Sequence, residues 1–174
     1  MRIPAPLTGA QKRELILSYQ KKYGFDTLVE TGTLEGEMIN ACKGSFARIY
    51  SIELLDDSYN NAVERFKDDD NVFMLHGNSS EKTRKALEHI EKPSLFWLDA
   101  HDGIQSPVLK ELEQIFEAPY FDHVILIDDM RNFEIGRPFY PTRQEIIVFV
   151  HKHRPDWQIT ITDDIMEVRK KSVE

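Results

Sequence analysis

The chain has a single cysteine, Cys42, no excess of positive charge and no long apolar run. One cysteine excludes an internal disulfide bond and a zinc cluster held by cysteines. The 22 lysines and arginines are outnumbered by 30 aspartates and glutamates, which gives a formal net charge of -8. Because non-specific nucleic-acid binding needs an excess of basic side chains, we expect no nucleic-acid partner.

The absence of long apolar runs also indicates where in the cell the protein is expected. No segment approaches the roughly 20 apolar residues that span a bilayer, so no membrane association is expected. The first residues, MRIPAP, lack the apolar part of a secretory signal, and the expected location is cytoplasmic. A length of 174 residues matches one domain and suffices to bury a substantial core.

Short β-rich runs recur along the chain. Five of them alternate with helical patterns, which is typical of parallel strands joined by helices. These runs are Thr27–Val29, Arg48–Ile52, Val72–Leu75, Leu95–Leu98 and Val124–Ile127. Two further runs, Trp157–Thr162 and Ile165–Arg169, are joined by Asp163 and Asp164 and predict an antiparallel hairpin.

The predicted fold is therefore a single α/β domain with a doubly wound, seven-stranded sheet and helices on both faces. The sheet would be mostly parallel, with an antiparallel hairpin strand at the C-terminus. Residues 1–24 would form an N-terminal arm and helix, residues 25–155 the βα core and residues 156–174 the hairpin. Capping boxes at Thr8 and Thr142 mark two helix starts, and Gly24 marks the end of the first helix.

The loop after the first strand is the most informative motif. It reads ETGTLEG over Glu30–Gly36, and Glu53 ends the second strand some twenty residues later. Glycines at these positions let the backbone approach a ligand closely. A carboxylate beside the loop favours a positively charged ligand over phosphates, and an acid at the second strand end can accept both hydroxyl hydrogens of a ribose. The three-glycine dinucleotide fingerprint is absent, which argues against a dehydrogenase that uses NAD.

This E-x-G-x-x-x-G loop resembles that of class I S-adenosylmethionine-dependent methyltransferases, a family whose sheet also has seven strands and a reversed last strand. In that family the loop holds the amino-acid part of the cofactor and the acid on the second strand holds the ribose. Asn78 and Ser79 stand at the family's adenine position, although asparagine replaces the usual acid there, and Asn78 also suits a helix cap. The resemblance implies these cofactor-binding residues: Glu30, Thr31, Gly32, Thr33, Gly36, Glu53, Leu54, Asn78, Ser79 and Asp99.

Acids also follow the fourth and fifth strands, at Asp99 and at Asp128 and Asp129. Three carboxylates in one cleft repel one another unless a cation or proton neutralises them, and oxygen ligands favour Mg²⁺. The arrangement resembles metal-dependent O-methyltransferases of the catechol and macrolide-sugar types, in which a divalent ion binds the substrate's hydroxyl oxygens. The catechol type has asparagine where Asp129 stands. The resemblance implies a metal held by Asp99, Asp128 and Asp129; alternatively, these acids support only their own loops.

His101 follows Asp99 by two residues and is a candidate general base near neutral pH. Its alternative role is a loop histidine bonded to a neighbour such as Asp102. The predicted catalytic residues are His101 and Asp99, whereas His123 is expected at the surface. The segment Met130–Pro141 contains arginines and aromatic residues that would receive an anionic or sugar-like substrate, or else it is a connector packed on the core.

Together these features predict an S-adenosylmethionine-dependent methyltransferase that acts on a hydroxyl oxygen of a small-molecule or sugar-like substrate, with help from a divalent metal such as Mg²⁺. Alternatives left open are a metal-independent O- or N-methyltransferase, an NAD-type oxidoreductase and a non-catalytic cofactor-binding domain. Because the chain is short, a second copy in a homo-oligomer would be one way to complete the cleft.

Overall fold

A computed structural model describes residues 6–101, 104–119, 122–134 and 138–171. The strands are β1 (Thr27–Thr31), β2 (Arg48–Glu53), β3 (Val72–His76), β4 (Leu95–Leu98), β5 (Val124–Ile127), β6 (Trp157–Thr162) and β7 (Ile165–Lys170). The helices are α1 (Gly9–Tyr23), α2 (Glu37–Cys42), α3 (Asp56–Arg65), α4 (Ser79–Leu87), α5 (Val108–Glu117) and α6 (Arg143–His153), with a 3-10 turn at Met130–Phe133. Within the described ranges, no helix is long and apolar enough to cross a membrane.

The strands form one sheet in the order β3-β2-β1-β4-β5-β7-β6. Strands β1 to β5 pair in parallel, and β7 runs antiparallel to both β5 and β6. The predicted fold class is thereby confirmed. The order reverses between β1 and β4, and such a switch point is where open α/β sheets bind ligands.

Both faces of the sheet are covered, which explains the near-continuous apolar strands. Within β4, Phe96 and Leu98 belong to the core beneath α4, α5 and α6, whereas Leu95 and Trp97 face the core beneath α1, α2 and α3. All four side chains are at most 2% exposed. Their burial on two faces fixes β4 at the centre of the sheet, and its C-terminal end therefore opens into the middle of the ligand-binding edge.

The predicted helix ends and the hairpin turn are confirmed. Thr8 and Thr142 each form a capping box, and Gly24 ends α1 with a left-handed φ of 68°. At the hairpin, Asp163 and Asp164 have φ values of 50° and 70°. Two consecutive positive φ angles are the pattern of a type I′ turn, whose twist matches that of a two-residue hairpin.

His123 corrects a prediction, because it is buried and not at the surface. It lies directly before β5, where its Nδ1 accepts a hydrogen bond of 3.0 Å from the backbone N–H of Ser94. Its ring meets that of Phe96 edge-on at 5.0 Å between centroids. Burial lowers the pKa of His123 to about 4, so the ring is neutral and has a structural role. Cys42 is a free cysteine and is buried as well.

Candidate active site

A pocket of about 630 Å³ opens at the C-terminal ends of β1, β2, β3 and β4. Six of the ten predicted cofactor-binding residues line it: Gly32, Glu53, Leu54, Asn78, Ser79 and Asp99. The predicted base His101 also lines this pocket. The other four predicted residues, Glu30, Thr31, Thr33 and Gly36, do not line the pocket. Topology alone accounts for this convergence, since parallel strands end at the same edge.

Glu53 is the most firmly positioned acid of the pocket. Its Oε2 accepts a hydrogen bond of 2.8 Å from the backbone N–H of Leu34, and its Oε1 accepts one of 2.9 Å from Leu55. The carboxylate therefore connects the β1 loop to the start of α3. Each oxygen keeps a lone pair for a further donor, which is what two vicinal hydroxyl groups would supply.

The two loop glycines are required for different reasons. Gly32 has a φ of 85°, and a Cβ there would lie 3.0 Å from the backbone oxygen of Asp99. Gly36 has a φ of 73°, and a Cβ there would lie 2.6 Å from Cε2 of Phe66. Gly32 thus lets the loop lie against β4 at the pocket wall, whereas Gly36 makes room for an aromatic ring of the core.

Glu30 lies beneath the loop at 2% exposure. Its Oε2 accepts a 2.7 Å hydrogen bond from the hydroxyl of Ser51, and that hydroxyl lies 2.6 Å from Oγ1 of Thr33. Burial raises the pKa of Glu30 to about 8, against the Ser51 hydrogen bond and aided by the charge of Glu53. The side chain is therefore mostly protonated near neutral pH, and its predicted contact with the cofactor stays a prediction.

Asn78 begins α4 and has the predicted capping role. Its Oδ1 accepts a 2.9 Å hydrogen bond from the backbone N–H of Ser80. Its presence in the pocket wall is compatible with the adenine contact as well, which stays a prediction. A side chain tied to the helix start is rigid, and a rigid polar group suits the recognition of a flat base edge.

The predicted acid cluster assembles beside this pocket, and a lysine from α1 enters it. Nζ of Lys12 donates a hydrogen bond to Oδ2 of Asp128 and lies 3.3 Å from Oδ1 of Asp129. Arg131 Nη2 lies 3.0 Å from the same Asp129 oxygen. Burial and the charge of Asp128 raise the pKa of Asp99 above its ordinary value, with Lys12 opposing that shift.

Donor atoms for a divalent ion converge at this cluster. Asp99, His101 and Asp129 each offer a ligand atom within 4.8 Å of the others. Asp128, however, is paired with Lys12, and the side chain of Asp128 is only 1% exposed. The three acids predicted to share a metal are thus not equivalent. The set does not fit an ion held by all three carboxylates while the Lys12 ammonium occupies the space between two of them.

The loop after the cluster resembles a connector more than a substrate clamp. Phe133 and Tyr140 are buried with ring centroids 5.6 Å apart, whereas Phe139 is 75% exposed. Arg131 is paired with Asp129 of the cluster, and Arg143 is paired with Glu134. Residues 102–103 and 135–137 lie outside the described residues; they include Asp102, the alternative partner of His101, and part of the predicted substrate segment Met130–Pro141.

Comparison with known proteins gives structural matches only. No family model and no curated protein matches this sequence. The SAH-bound methyltransferase PaMTH1 of Podospora anserina superposes with a TM-score of 0.71 at 16% identity, covering 95% of this chain and 80% of that one. An O-methyltransferase of Bacillus cereus in complex with SAH gives 0.69 at 16% identity, covering 97% and 84%.

A putative rRNA methylase of Clostridium thermocellum gives a TM-score of 0.65 at 12% identity and covers 98% of this chain and 100% of its own. The chain has the class I methyltransferase fold. The predicted architecture is therefore the one shared by these methyltransferases, and the pocket lies at the carboxyl edge of a class I sheet.

Three residues of this candidate site were not found from sequence. Lys12 is 116 residues from Asp128, and nothing in the α1 pattern distinguishes it from other lysines. Asp164 contacts Arg131 from the hairpin turn. Glu111 is 1% exposed on α5. It did carry a readable signal, because an acid between Val108, Leu112 and Ile115 interrupts an apolar helix face.

Proposed function

We propose that this chain is an S-adenosylmethionine-dependent methyltransferase that methylates a hydroxyl oxygen of a small-molecule, anionic or sugar-like substrate. The observation that carries the proposal is the pocket in which Glu53, held by two backbone N–H groups, faces the strand ends beside Gly32. Proteins of the same fold that hold SAH, such as PaMTH1 and the Bacillus cereus enzyme, support this assignment.

Each pocket residue has a role under this proposal. Glu53 accepts hydrogen bonds from the two ribose hydroxyls, and Gly32 lets the backbone approach the amino-acid part of the cofactor. Asn78 and Ser79 border the adenine, and Leu54 provides apolar contact. Glu30 acts indirectly: it accepts a hydrogen bond from the Ser51 hydroxyl, and that hydroxyl contacts the Thr33 side chain of the loop.

The reaction needs an acceptor oxygen in line with the sulfonium methyl group. The oxygen lone pair forms the new C–O bond while the C–S bond breaks, and its electrons leave on sulfur as a neutral thioether. The hydroxyl proton passes to a base. His101 and Asp99 line the pocket and are the candidates for this step, His101 as the base and Asp99 as its polar neighbour. Holding both partners close supplies much of the rate enhancement.

The proposed reaction has two possible forms, one with the divalent ion predicted from sequence and one without a metal. In the first form, a bound ion would polarise the acceptor hydroxyl. Asp99, His101 and Asp129 offer converging donor atoms for such an ion. The contact of Lys12 with Asp128 and Asp129 favours the other form, in which methyl transfer needs no metal.

Calorimetric titration with S-adenosylmethionine tests the cofactor assignment. The folded protein should bind it with a micromolar dissociation constant, and Glu53→Ala should weaken binding by about a hundredfold, since two hydrogen bonds to a charged group are lost. Glu64→Ala on exposed α3 is the matched control and should bind normally. Folded wild-type protein that gives no binding would refute the assignment, and binding without transfer to any hydroxyl acceptor would favour a non-catalytic domain.

A further inference from the structure

We infer that Lys12 is the resident cation of the acid cluster: it occupies the space between Asp128 and Asp129, keeps divalent ions out and positions Asp129 for methyl transfer. The inference deepens the proposed function and rests on it for its catalytic part only. The cation-binding part stands on the geometry of α1 and the β5 end alone.

The position of Lys12 is fixed by the start of α1. The Thr8 capping box sets the register of the helix, and the backbone N–H of Lys12 donates to the Thr8 carbonyl at 2.9 Å. The helix packs on one face of the sheet through Ile16, which is buried in the same core cluster as Leu95 and Trp97. One turn before Ile16, Lys12 extends to the β5 end with its side chain only 18% exposed. A lysine held this way is part of the cluster and is not a solvated surface charge.

The burial of its partner makes the pairing necessary. The Asp128 side chain is 1% exposed, and a buried carboxylate is costly unless it is paired. Among the described residues, Nζ of Lys12 is the one basic side-chain nitrogen that pairs with Asp128. Asp129 has two cationic neighbours, Lys12 at 3.3 Å and Arg131 at 3.0 Å.

These two cations explain why the site disfavours a metal. An ion between Asp128 and Asp129 would need to displace the Lys12 ammonium, and an ion held by Asp99, His101 and Asp129 would lie beside the two cations that contact Asp129. Either arrangement adds repulsion that a vacant acid cluster would not have. Among the described residues, removing the ammonium leaves Arg131 as the remaining lysine or arginine paired with these three acids, and their oxygens become available to an added ion.

The same contacts define a positioning role. Asp129 lies between its cations on one side and His101 on the other, with 3.9 Å from its Oδ2 to Nε2 of His101. His101 borders both the acid cluster and the large pocket. Lys12 lines neither the large pocket nor the small cavity beside the acid cluster. It therefore acts on the reaction through Asp129 and does not touch the acceptor.

The test compares manganese binding, measured by electron paramagnetic resonance, in wild type, Lys12→Met and Lys12→Arg after chelator treatment. Methionine keeps the length of the side chain without its charge, whereas arginine keeps the charge. We expect weak binding to wild type and Lys12→Arg, and at least about tenfold tighter binding to Lys12→Met, which corresponds to about 1.4 kcal/mol. Lys21→Met, on an exposed turn of the same helix, is the matched control and should match wild type.

Activity supplies the second measurement. Wild-type methyl transfer should persist in EDTA, whereas Lys12→Met should lose turnover and regain part of it with added Mg²⁺. Tight manganese binding by wild type, or activity that EDTA abolishes, overturns the inference even if Lys12→Met does not fold. Equal manganese binding by folded Lys12→Met and wild type also overturns it. Failure of wild type to bind S-adenosylmethionine instead refutes the proposed function and leaves the manganese comparison valid.

Discussion

Asp164 joins the C-terminal hairpin to the acid cluster through Arg131. Its Oδ1 accepts a 2.6 Å hydrogen bond from the Arg131 backbone N–H, and its Oδ2 accepts one from the guanidinium. Its carbonyl accepts a further bond of 2.9 Å from the N–H of Met130. Because Arg131 also contacts Asp129, the reversed hairpin does more than close the sheet: it fixes the segment that follows β5.

Replacing Asp164 by alanine should therefore affect both stability and activity. The change removes two hydrogen bonds from a side chain that is 5% exposed and forces alanine into a left-handed backbone. We expect a loss of about 2–4 kcal/mol in the free energy of unfolding, measured with urea. Turnover should fall while the affinity for S-adenosylmethionine is kept, because Glu53 and its pocket lie at other strand ends.

Asp163→Ala is the matched control, since Asp163 shares the left-handed conformation of the turn. It should show the backbone cost of about 1 kcal/mol alone, with normal turnover. Equal effects of the two variants on turnover would contradict a specific role of Asp164 at the acid cluster.

Gly32→Ala tests the close approach of the β1 loop to β4. An added Cβ would lie 3.0 Å from the Asp99 carbonyl, at a φ of 85° that alanine rarely adopts. We expect a loss of about 1–3 kcal/mol in the free energy of unfolding, together with weaker binding of S-adenosylmethionine, because the pocket wall shifts. Gly44→Ala, where a Cβ meets nothing within 4 Å, should change neither quantity in urea unfolding and calorimetry.

Glu30→Gln separates a direct from an indirect role of this acid. Since burial raises its pKa to about 8, glutamine resembles the form that predominates near neutral pH. We expect the dissociation constant for S-adenosylmethionine at pH 7 to change by less than about threefold, or about 0.7 kcal/mol. A much larger loss of affinity, in a variant that unfolds normally, would show that an ionised Glu30 contacts the positively charged end of the cofactor.

The strands could be predicted because burial on two faces produces short, continuous apolar runs. The bounds of β4 and β5 were correct, as four apolar residues stand between polar ones in each case. The predicted ends of β1 and β2 stopped too early. Glu30, Thr31 and Glu53 are polar yet continue the ladder, with Glu30 paired to Ser51. Polar residues at strand ends therefore hide the last residues of a strand from a search for apolar runs.

The pocket was predictable to the extent that topology determines it. Once the sheet is parallel, its strand ends must meet, and Glu53, Asn78 and Asp99 follow. Contacts between distant elements were not predictable, since no local pattern shows that α1 delivers Lys12 to Asp128 across the sheet edge. The acids were expected to need a cation or a proton, with a divalent ion as the predicted cation, whereas the contacts seen here come from Lys12 of the chain itself.

Glu111→Gln should change how stability depends on pH. Burial raises the Glu111 pKa to about 7, despite hydrogen bonds with the side chains of Ser79 and Thr31. Between about pH 4.5 and 7 the unfolded chain loses this proton while the folded chain keeps it. The folded state then binds more protons, so this group makes wild type less stable as pH rises, by about 1.4 kcal/mol per pH unit.

Glutamine removes that dependence. The free energy of unfolding of Glu111→Gln, measured with urea from pH 5 to 8, should therefore rise relative to wild type by about 3 kcal/mol and level off above pH 7. Glu117→Gln, on the same helix but exposed beside Arg84, is the control. Its free energy of unfolding should differ from that of wild type by the same amount at every pH. A constant difference between Glu111→Gln and wild type across the range would mean that the buried carboxyl does not hold its proton, and that its unpartnered Oε1 is stabilised in the ionised form.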